Sequence, residues 1–382
     1  MATSAVGPGF LTQTSVFTAE LGASFGFAIL ISVVVDLVAQ MNVWRVIAVS
    51  GRRAQDLGNA VFPGLGWLLT VLVVVGGLAF NIGNIAGTGL GLNAMLDVPV
   101  KTGAAVSAVV SIGIFVLPDA GRAMDRFAQL MGFVMVALTL YVAATAHPPL
   151  AGAIVGTVAP SDWSVLTIVT LVGGTVGGYI TFAGAHRLLD AGISGPDVQR
   201  EVTRSAGLAV GVASLMRVLL FLAVLGVVSR GLMLDPANPP ASVFRLAIGQ
   251  VGYRMFGVVM WAAAITSVVG AAYTSVSFLR TLSPWADRFW TRLVIGFIGL
   301  STVVFLFVGR PVKTLIAVGA LNALVLPVGL FVVLVAAHRR ALMPAGYRHS
   351  RGLTISGVLV AAAMAGMGLY TLVTELPKMW GR

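Results

Sequence analysis

Two glycine clusters mark where this sequence could bind something. Gly7-Pro8-Gly9-Phe10 stands at the start of the chain, and Gly173-Gly174-Thr175-Val176-Gly177-Gly178-Tyr179 follows, with Gly177 170 residues after Gly7. Both lie in apolar runs. A helix broken inside hydrocarbon leaves amides and carbonyls without partners, so such a break persists only where it lines a cavity or is buried in protein. Gly7, Gly9, Gly177 and Gly178 would leave room and expose amides at half-helix N-termini, where the helix dipole favours an anion. Thr12, Gln13, Thr14, Thr175 and Tyr179 could hydrogen-bond a small polar ligand, and Phe10 offers an apolar face. The plainer alternatives are close helix packing for the glycines and hydroxyls bonded back to their own helix for the threonines. Close packing suits any one of 46 glycines. Two clusters at corresponding places instead suggest an inverted repeat with its site near the midplane.

Arg217 and Asp36 are the ionisable side chains nearest the middle of apolar runs. A charge there is costly and is paired or faces water. A structural ion pair is one reading; the other has Arg217 attracting an anionic substrate and Asp36 carrying a proton. Thr266-Ser267 lies midway along another apolar run and offers oxygens suited to a hard cation such as Na⁺, although such pairs also serve as interhelical bonds. Enzyme chemistry finds little support. There is no His-Glu-x-x-His pattern, there are no cysteines, and the four histidines fall at run ends or in loops. No metal site and no cofactor is expected.

The elements that must position these groups are membrane helices. Hydrophobic residues make up 58% of the 382 and charged residues only 10%, against roughly 25% charged in soluble domains. Apolar runs able to cross a bilayer of about 30 Å cover about 1–20, 22–49, 63–96, 102–117, 124–146, 163–188, 205–228, 253–279, 292–308, 314–337 and 352–374. With the N-terminus in the cytoplasm and the C-terminus outside, fifteen Lys and Arg fall inside, eight outside and one, Arg217, within a span, accounting for all 24. That bias follows the positive-inside rule. The net charge of +11 therefore reads as topology rather than as nucleic-acid binding. Residues 1–10 lack a basic segment, and no cleavable signal is expected.

At this point the sequence resembles the natural resistance-associated macrophage protein (NRAMP) family of proton-coupled metal transporters, over nearly the whole chain. Gly7-Pro8-Gly9-Phe10 falls where that family has Asp-Pro-Gly-Asn, with Gln40 and Gly51-Arg52 in register. Leu171-Val172-Gly173-Gly174-Thr175-Val176 matches the stretch before its Met-Pro-His-Asn. Gly87-Thr88-Gly89-Leu90-Gly91-Leu92-Asn93 and Leu324-Val325-Leu326-Pro327 match its third and tenth spans. The resemblance implies an all-α membrane protein with a LeuT-type five-plus-five inverted repeat and an eleventh transmembrane helix. The repeats would cover 1–146 and 163–337, with the last span at 352–374. It also makes the helices of Asp36 and Arg217 neighbours, and sets Thr266-Ser267 where LeuT-like symporters hold Na⁺.

The departures redirect the substrate. The family's metal-binding Asp and Asn become Gly7 and Phe10, its Met becomes Gly177 and its His becomes Tyr179. The acids linked to proton movement in the third span become Asn81 and Asn84. A dehydrated divalent ion needs anionic or soft donors, which this set lacks. The expectation is a secondary active transporter in the bacterial inner membrane, moving a small organic carboxylate or amino-acid-like anion with H⁺ or Na⁺. The resemblance is closest to a subgroup lacking the metal-site residues and often encoded beside 5-oxoprolinase subunits, which makes 5-oxoproline (pyroglutamate) the first candidate. The alternative is a divalent metal ion, Mg²⁺ or Mn²⁺.

Overall fold

Among the described residues the apolar runs become helix, because a helix satisfies its own backbone within hydrocarbon. The computed structural model describes residues 6–380, and the described residues contain no strand. Its first helices are α1 (Pro8–Leu21), α2 (Phe25–Ser50), a short α3 (Ala54–Val61), α4 (Leu65–Leu96), α5 (Val100–Val116) and α6 (Pro118–Thr145). A surface helix α7 (Leu150–Val158) precedes the broken pair α8 (Val165–Thr175) and α9 (Ile180–Asp190). Then come α10 (Gln199–Val228), α11 (Pro239–Arg280), the short α12 (Pro284–Arg288) and α13 (Trp290–Val308). The chain ends with α14 (Pro311–Ala323), α15 (Val325–His338), α16 (Arg351–Tyr370), a π-helical turn Thr371–Glu375 and α17 (Leu376–Trp380). Proline opens α1, α6, α11, α12 and α14, where its missing N–H has no partner to lose.

The expected spans map onto α1, α2, α4, α5, α6, α8 with α9, α10, α11, α13, α14 with α15, and α16. The structure corrects their edges. The first expected span begins outside the described residues, and α1 has only 14 residues, about 21 Å of helix. Gly22, at φ 54° and ψ −133° with open space around its Cα, turns the chain from α1 into α2. The eighth span starts earlier than expected and kinks at Ile248–Gly249. The tenth is two helices that meet at Leu324.

The long helices pack through small residues. A side chain at Gly91 would press on the Trp261 backbone, and one at Gly257 would press on Met95 N at 2.7 Å, so α4 and α11 run in close backbone contact. Large apolar side chains face outward, with Phe133 76% and Phe307 86% exposed. Soluble proteins rarely show such a surface, whereas lipid solvates it. The polar residues are inside: Gln13, Asn81, Asn84 and Asn322 are all 0% exposed. The polarity of the bundle is thus inverted relative to a soluble protein, and the interior is where chemistry is to be sought.

Candidate functional site

The second glycine cluster forms a genuine break. Helix α8 stops at Thr175 and α9 resumes at Ile180. Gly178 has φ +57°, a left-handed conformation that glycine adopts without steric cost, and a Cβ there would overlap Asn322 Oδ1. The amides of the break are not free, however. Gly177 N–H donates to Val172 O at 3.1 Å, Gly178 N–H to Asn322 O at 3.0 Å, and Ile180 N–H to Gly177 O at 3.2 Å. The expectation that Gly177 and Gly178 bare their amides to a ligand is therefore corrected: neighbouring carbonyls took them, because an orphan amide is costly in hydrocarbon.

The first cluster behaves differently. Gly7 is an extended N-cap (φ −88°, ψ −179°) without a side-chain cap, and Gly9 and Phe10 are already helical. Gly9 and Phe10 belong to the helix, which corrects the expectation that they are unwound, while Gly7 is extended and the residues before Val6 lie outside those described. The first-turn N–H of Phe10 has no bond to the carbonyl of Val6 four residues back. A Cβ at Gly7 would lie 3.1 Å from Ser267 Oγ and 3.9 Å from Asn84 Oδ1. Ser267 Oγ and both amide atoms of Asn84 are buried without a hydrogen-bond partner. Asn84 also faces the Tyr179 phenol, whose ring meets Phe80 edge-on at 5.4 Å. The start of α1 and the break thus meet around Asn84 and Ser267, and orphaned polar atoms of this kind call for water or a ligand.

Two buried charges stand beside this junction. Asp36 is 6% and Arg217 2% exposed. They interact through space but do not bond, so the expected contact ion pair is corrected. Thr175 Oγ1 donates to Asp36 Oδ1 at 2.9 Å. Arg217 Nη1 donates to Ser32 Oγ at 3.3 Å, and its guanidinium lies 4.2 Å from the Phe10 ring centroid, a cation–π arrangement. Its Nε and Nη2 are buried and unpartnered. A guanidinium with spare donors in a low-dielectric interior is an anion receptor in wait.

A cavity opens from this point. Asp36, Thr175, Tyr179 and Ser267 line its inner part, and Gln40, Trp44, Arg187 and Thr274 its outer part. From Asp36 to Trp44 it follows α2 for about 12 Å at 1.5 Å per residue. The space open to the centre of a water-sized sphere is about 40 Å³, room for a few waters. Arg217 lies one turn of α10 beyond Ala213, a lining residue, behind the wall. Ser32, Asp36, Gln40 and Trp44 recur every four residues on α2 and form one stripe. Sequence reasoning found only Asp36 among them, although a four-residue polar period in an apolar helix was there to be read.

The remaining expected residues divide. Thr14 Oγ1 donates to Phe10 O at 2.8 Å, back into its own helix, whereas Thr12 Oγ1 has no partner. Gln13 Nε2 donates to Leu315 O at 3.1 Å, and the side chain fills the space that Gly174 and Gly319 leave. Gln13 ties α1 to α14 and does not line the cavity. The coupling set is not brought together either. Thr266 bonds back to Ala262 O and Ala263 O at 3.1 and 3.0 Å and faces an apolar groove with Val6, Met131 and Met216, while Ser267 faces the cavity. Asn81 Nδ2 donates to Ser301 Oγ at 3.2 Å, toward α13 and away from Asn84's surroundings. Among the described residues no group of three or more His, Cys, Asp or Glu could hold a metal.

Comparison with known proteins agrees with this architecture. An uncharacterized membrane protein of Bacillus subtilis, YcsG, is 57% identical over 380 residues, covering 100% of this chain and 94% of that protein. One from Haemophilus influenzae is 54% identical over 380 residues, with 100% and 96% covered. Among solved structures, a mutant manganese transporter of Eremococcus coleocola superposes with a TM-score of 0.76 at 15% identity, covering 100% of this chain and 86% of that one. MhsT in complex with L-phenylalanine superposes with a TM-score of 0.66 at 15% identity, covering 97% and 96%. The fold is accordingly of the LeuT type. Residues 1–374 match the natural resistance-associated macrophage protein-like family, and the chain belongs to that family of multi-pass membrane transporters, which are not enzymes.

Proposed function

We propose that this transporter is a secondary active carrier for a small organic carboxylate, with 5-oxoproline the first compound to test. The observation that carries the reading is Arg217. It is buried at 2% exposure with two guanidinium nitrogens unpartnered, stacked on Phe10 where α1 begins with uncapped amides. Positive charge and a helix N-terminus converge on one locus, and both favour an anion. Ser267 and Asn84 add neutral hydrogen-bonding groups for the rest of the molecule.

Asp36 supplies the coupling. It lines the cavity, so protons have a wet route to it, and Arg217 is near enough for a change in one charge to alter the other. We read the coupling ion as a proton, since Thr266 faces away from Ser267. Uptake that rises with sodium at fixed pH would reassign it. The same reading has the N-terminus cytoplasmic and the C-terminus outside, in a bacterial inner membrane, with repeats at 1–146 and 163–337.

A divalent metal ion is the second reading. It draws on family membership and on the related manganese transporter. The donor chemistry weighs against it: among the described residues Asp36 is the one carboxylate lining the cavity, and a divalent ion prefers several anionic or soft ligands. Uptake of radiolabelled 5-oxoproline and of Mn²⁺ into proteoliposomes separates the two. The expected result is saturable 5-oxoproline uptake that Arg217→Leu lowers by about tenfold, equal to about 1.4 kcal/mol, while the variant elutes as folded protein. Manganese uptake that Arg217→Leu leaves intact, without carboxylate uptake, rejects the proposal.

A further inference from the structure

The tenth span is broken as well, and Asn322 joins its bend to the break of the sixth. Pro327 has no N–H for the Ala323 carbonyl, and its ring crowds that carbonyl, so the helical ladder opens where α14 meets α15. One residue earlier, the Asn322 carbonyl accepts the Gly178 N–H at 3.0 Å. The Asn322 side chain points elsewhere. Its Nδ2 donates to Gly76 O at 3.0 Å and to Val318 O at 3.0 Å. Its Oδ1 is buried without a partner, and Cβ atoms at Gly76 and Gly178 would both crowd it, at 2.8 Å for Gly76. One fully buried residue therefore bonds across to α4 and to the α8–α9 break from the bend of α14–α15.

We propose that Asn322 is a positioning residue that couples the two helix breaks to α4, so that the bend of the tenth span and the break of the sixth change together during transport. The physical ground is local. Breaks and kinks are the places where a membrane helix can change direction without tearing a regular ladder. Two such places linked by a hydrogen bond cannot move independently without stranding a buried amide, which is costly. The glycines at 76 and 178 keep this junction free of any side chain that would block the link. The carbonyl on the break is backbone and any residue would carry it, so what the asparagine adds, and what its substitution removes, is the side-chain tie from this bend to Gly76 O on α4.

The inference rests on the fold and not on the substrate, so its test needs no ligand. The chain has no cysteines, and Ala183 lines the cavity. Ala183→Cys alone, purified in detergent, is labelled with a soluble maleimide, and the rate reports how open the cavity is. Asn322→Ala and Asn322→Ser in that background are each expected to change the rate by about fivefold, the lower end of typical coupling between sites. Asn42→Ala serves as control. Asn42 is likewise buried and bonded between helices, through Val38 O and Leu353 O, but lies outside the junction, so its rate should stay within about twofold of the parent. Unchanged rates in both Asn322 variants overturn the inference. So does an equal change in Asn42→Ala, because the effect would then be general loosening.

Discussion

The two glycine clusters look alike in sequence and part ways in structure. The cluster at 173–179 is a true break, with its amides captured by carbonyls of α8 and α14. Within the described residues the cluster at 7–10 is an extended Gly7 leading into a helix, with no side-chain cap and with orphaned side chains of α4 and α11 beside it. A break that crosses packed protein finds acceptors on every side. At the start of α1 no side chain caps the helix, and the buried polar atoms of Asn84 and Ser267 beside it have no partner. The candidate site therefore has a rigid side, built by the break, and under the proposed function a receptive side, built by α1 and Arg217.

The largest expected contrast tests this division directly. Gly178→Ala forces a left-handed alanine, costing about 1–2 kcal/mol, and drives its methyl into Asn322 Oδ1, costing about 1–3 kcal/mol more. The folded yield of this variant in detergent should collapse. Gly7→Ala has an ordinary φ of −88° and meets only the rotatable Ser267 hydroxyl at 3.1 Å, so its folded yield should match the parent. Equal losses in both would erase the distinction between the rigid and receptive sides.

A smaller contrast separates two threonines. Thr175 Oγ1 has one proton to share between Asp36 Oδ1 and Leu171 O, both at 2.9 Å, so Thr175→Val leaves a buried carboxylate short of a donor, at up to about 1.5–3 kcal/mol for a bond to a charged group. Thr14→Ala removes only a bond to its own helix at 2.8 Å, and about 0.5 kcal/mol or less is expected. Thermal shift in detergent ranks them, and a Thr14 effect as large as that of Thr175 would make α1 part of the rigid side.

The smallest expected effect lies outside the membrane and guards against a misreading. His349 sits in the loop before α16, where burial, then His338, then Arg45, hold its imidazole down to about 4. Its Nδ1 meets the Tyr347 hydroxyl at 2.8 Å and its Nε2 meets Asn42 Oδ1 at 2.9 Å. An unfolded histidine titrates near 6.5, so between about 6.5 and 4 the unfolded chain binds the extra proton. Stability contributed by His349 is complete above that window, falls as pH drops through it, and is lost below. The melting temperature should decline a few degrees from pH 7.5 to 5 by this route, and His349→Gln should flatten the decline. If the decline is unchanged in His349→Gln, acid acts through another group whose folded form resists protonation.

Much of the fold was legible. Apolar runs and their basic loops point to eleven spans, and the glycines of 173–179 point to the break. The site was legible only in part. Gly7, Asp36, Thr175, Tyr179, Ser267 and Arg217 lie near one another, yet Arg217 bonds Ser32 and stacks on Phe10 instead of pairing with Asp36. Gln13 works as a tie between helices, and Thr266 faces a different space from Ser267. Gln40 and Asn322 were missed, the first behind a readable four-residue stripe, the second behind no pattern at all.

Sequence alone determined that this chain lives in a bilayer and where its helices run, because transfer of apolar side chains and satisfaction of backbone polar groups are local requirements that each segment meets by itself. Only the tertiary structure decided which amides are spoken for, which way each polar side chain points, and that Asn322 reaches from one broken helix to another. Those outcomes depend on what a neighbouring helix offers within about 3 Å, and residues such as Gly178 and Asn322, far apart along the chain, become neighbours only on folding.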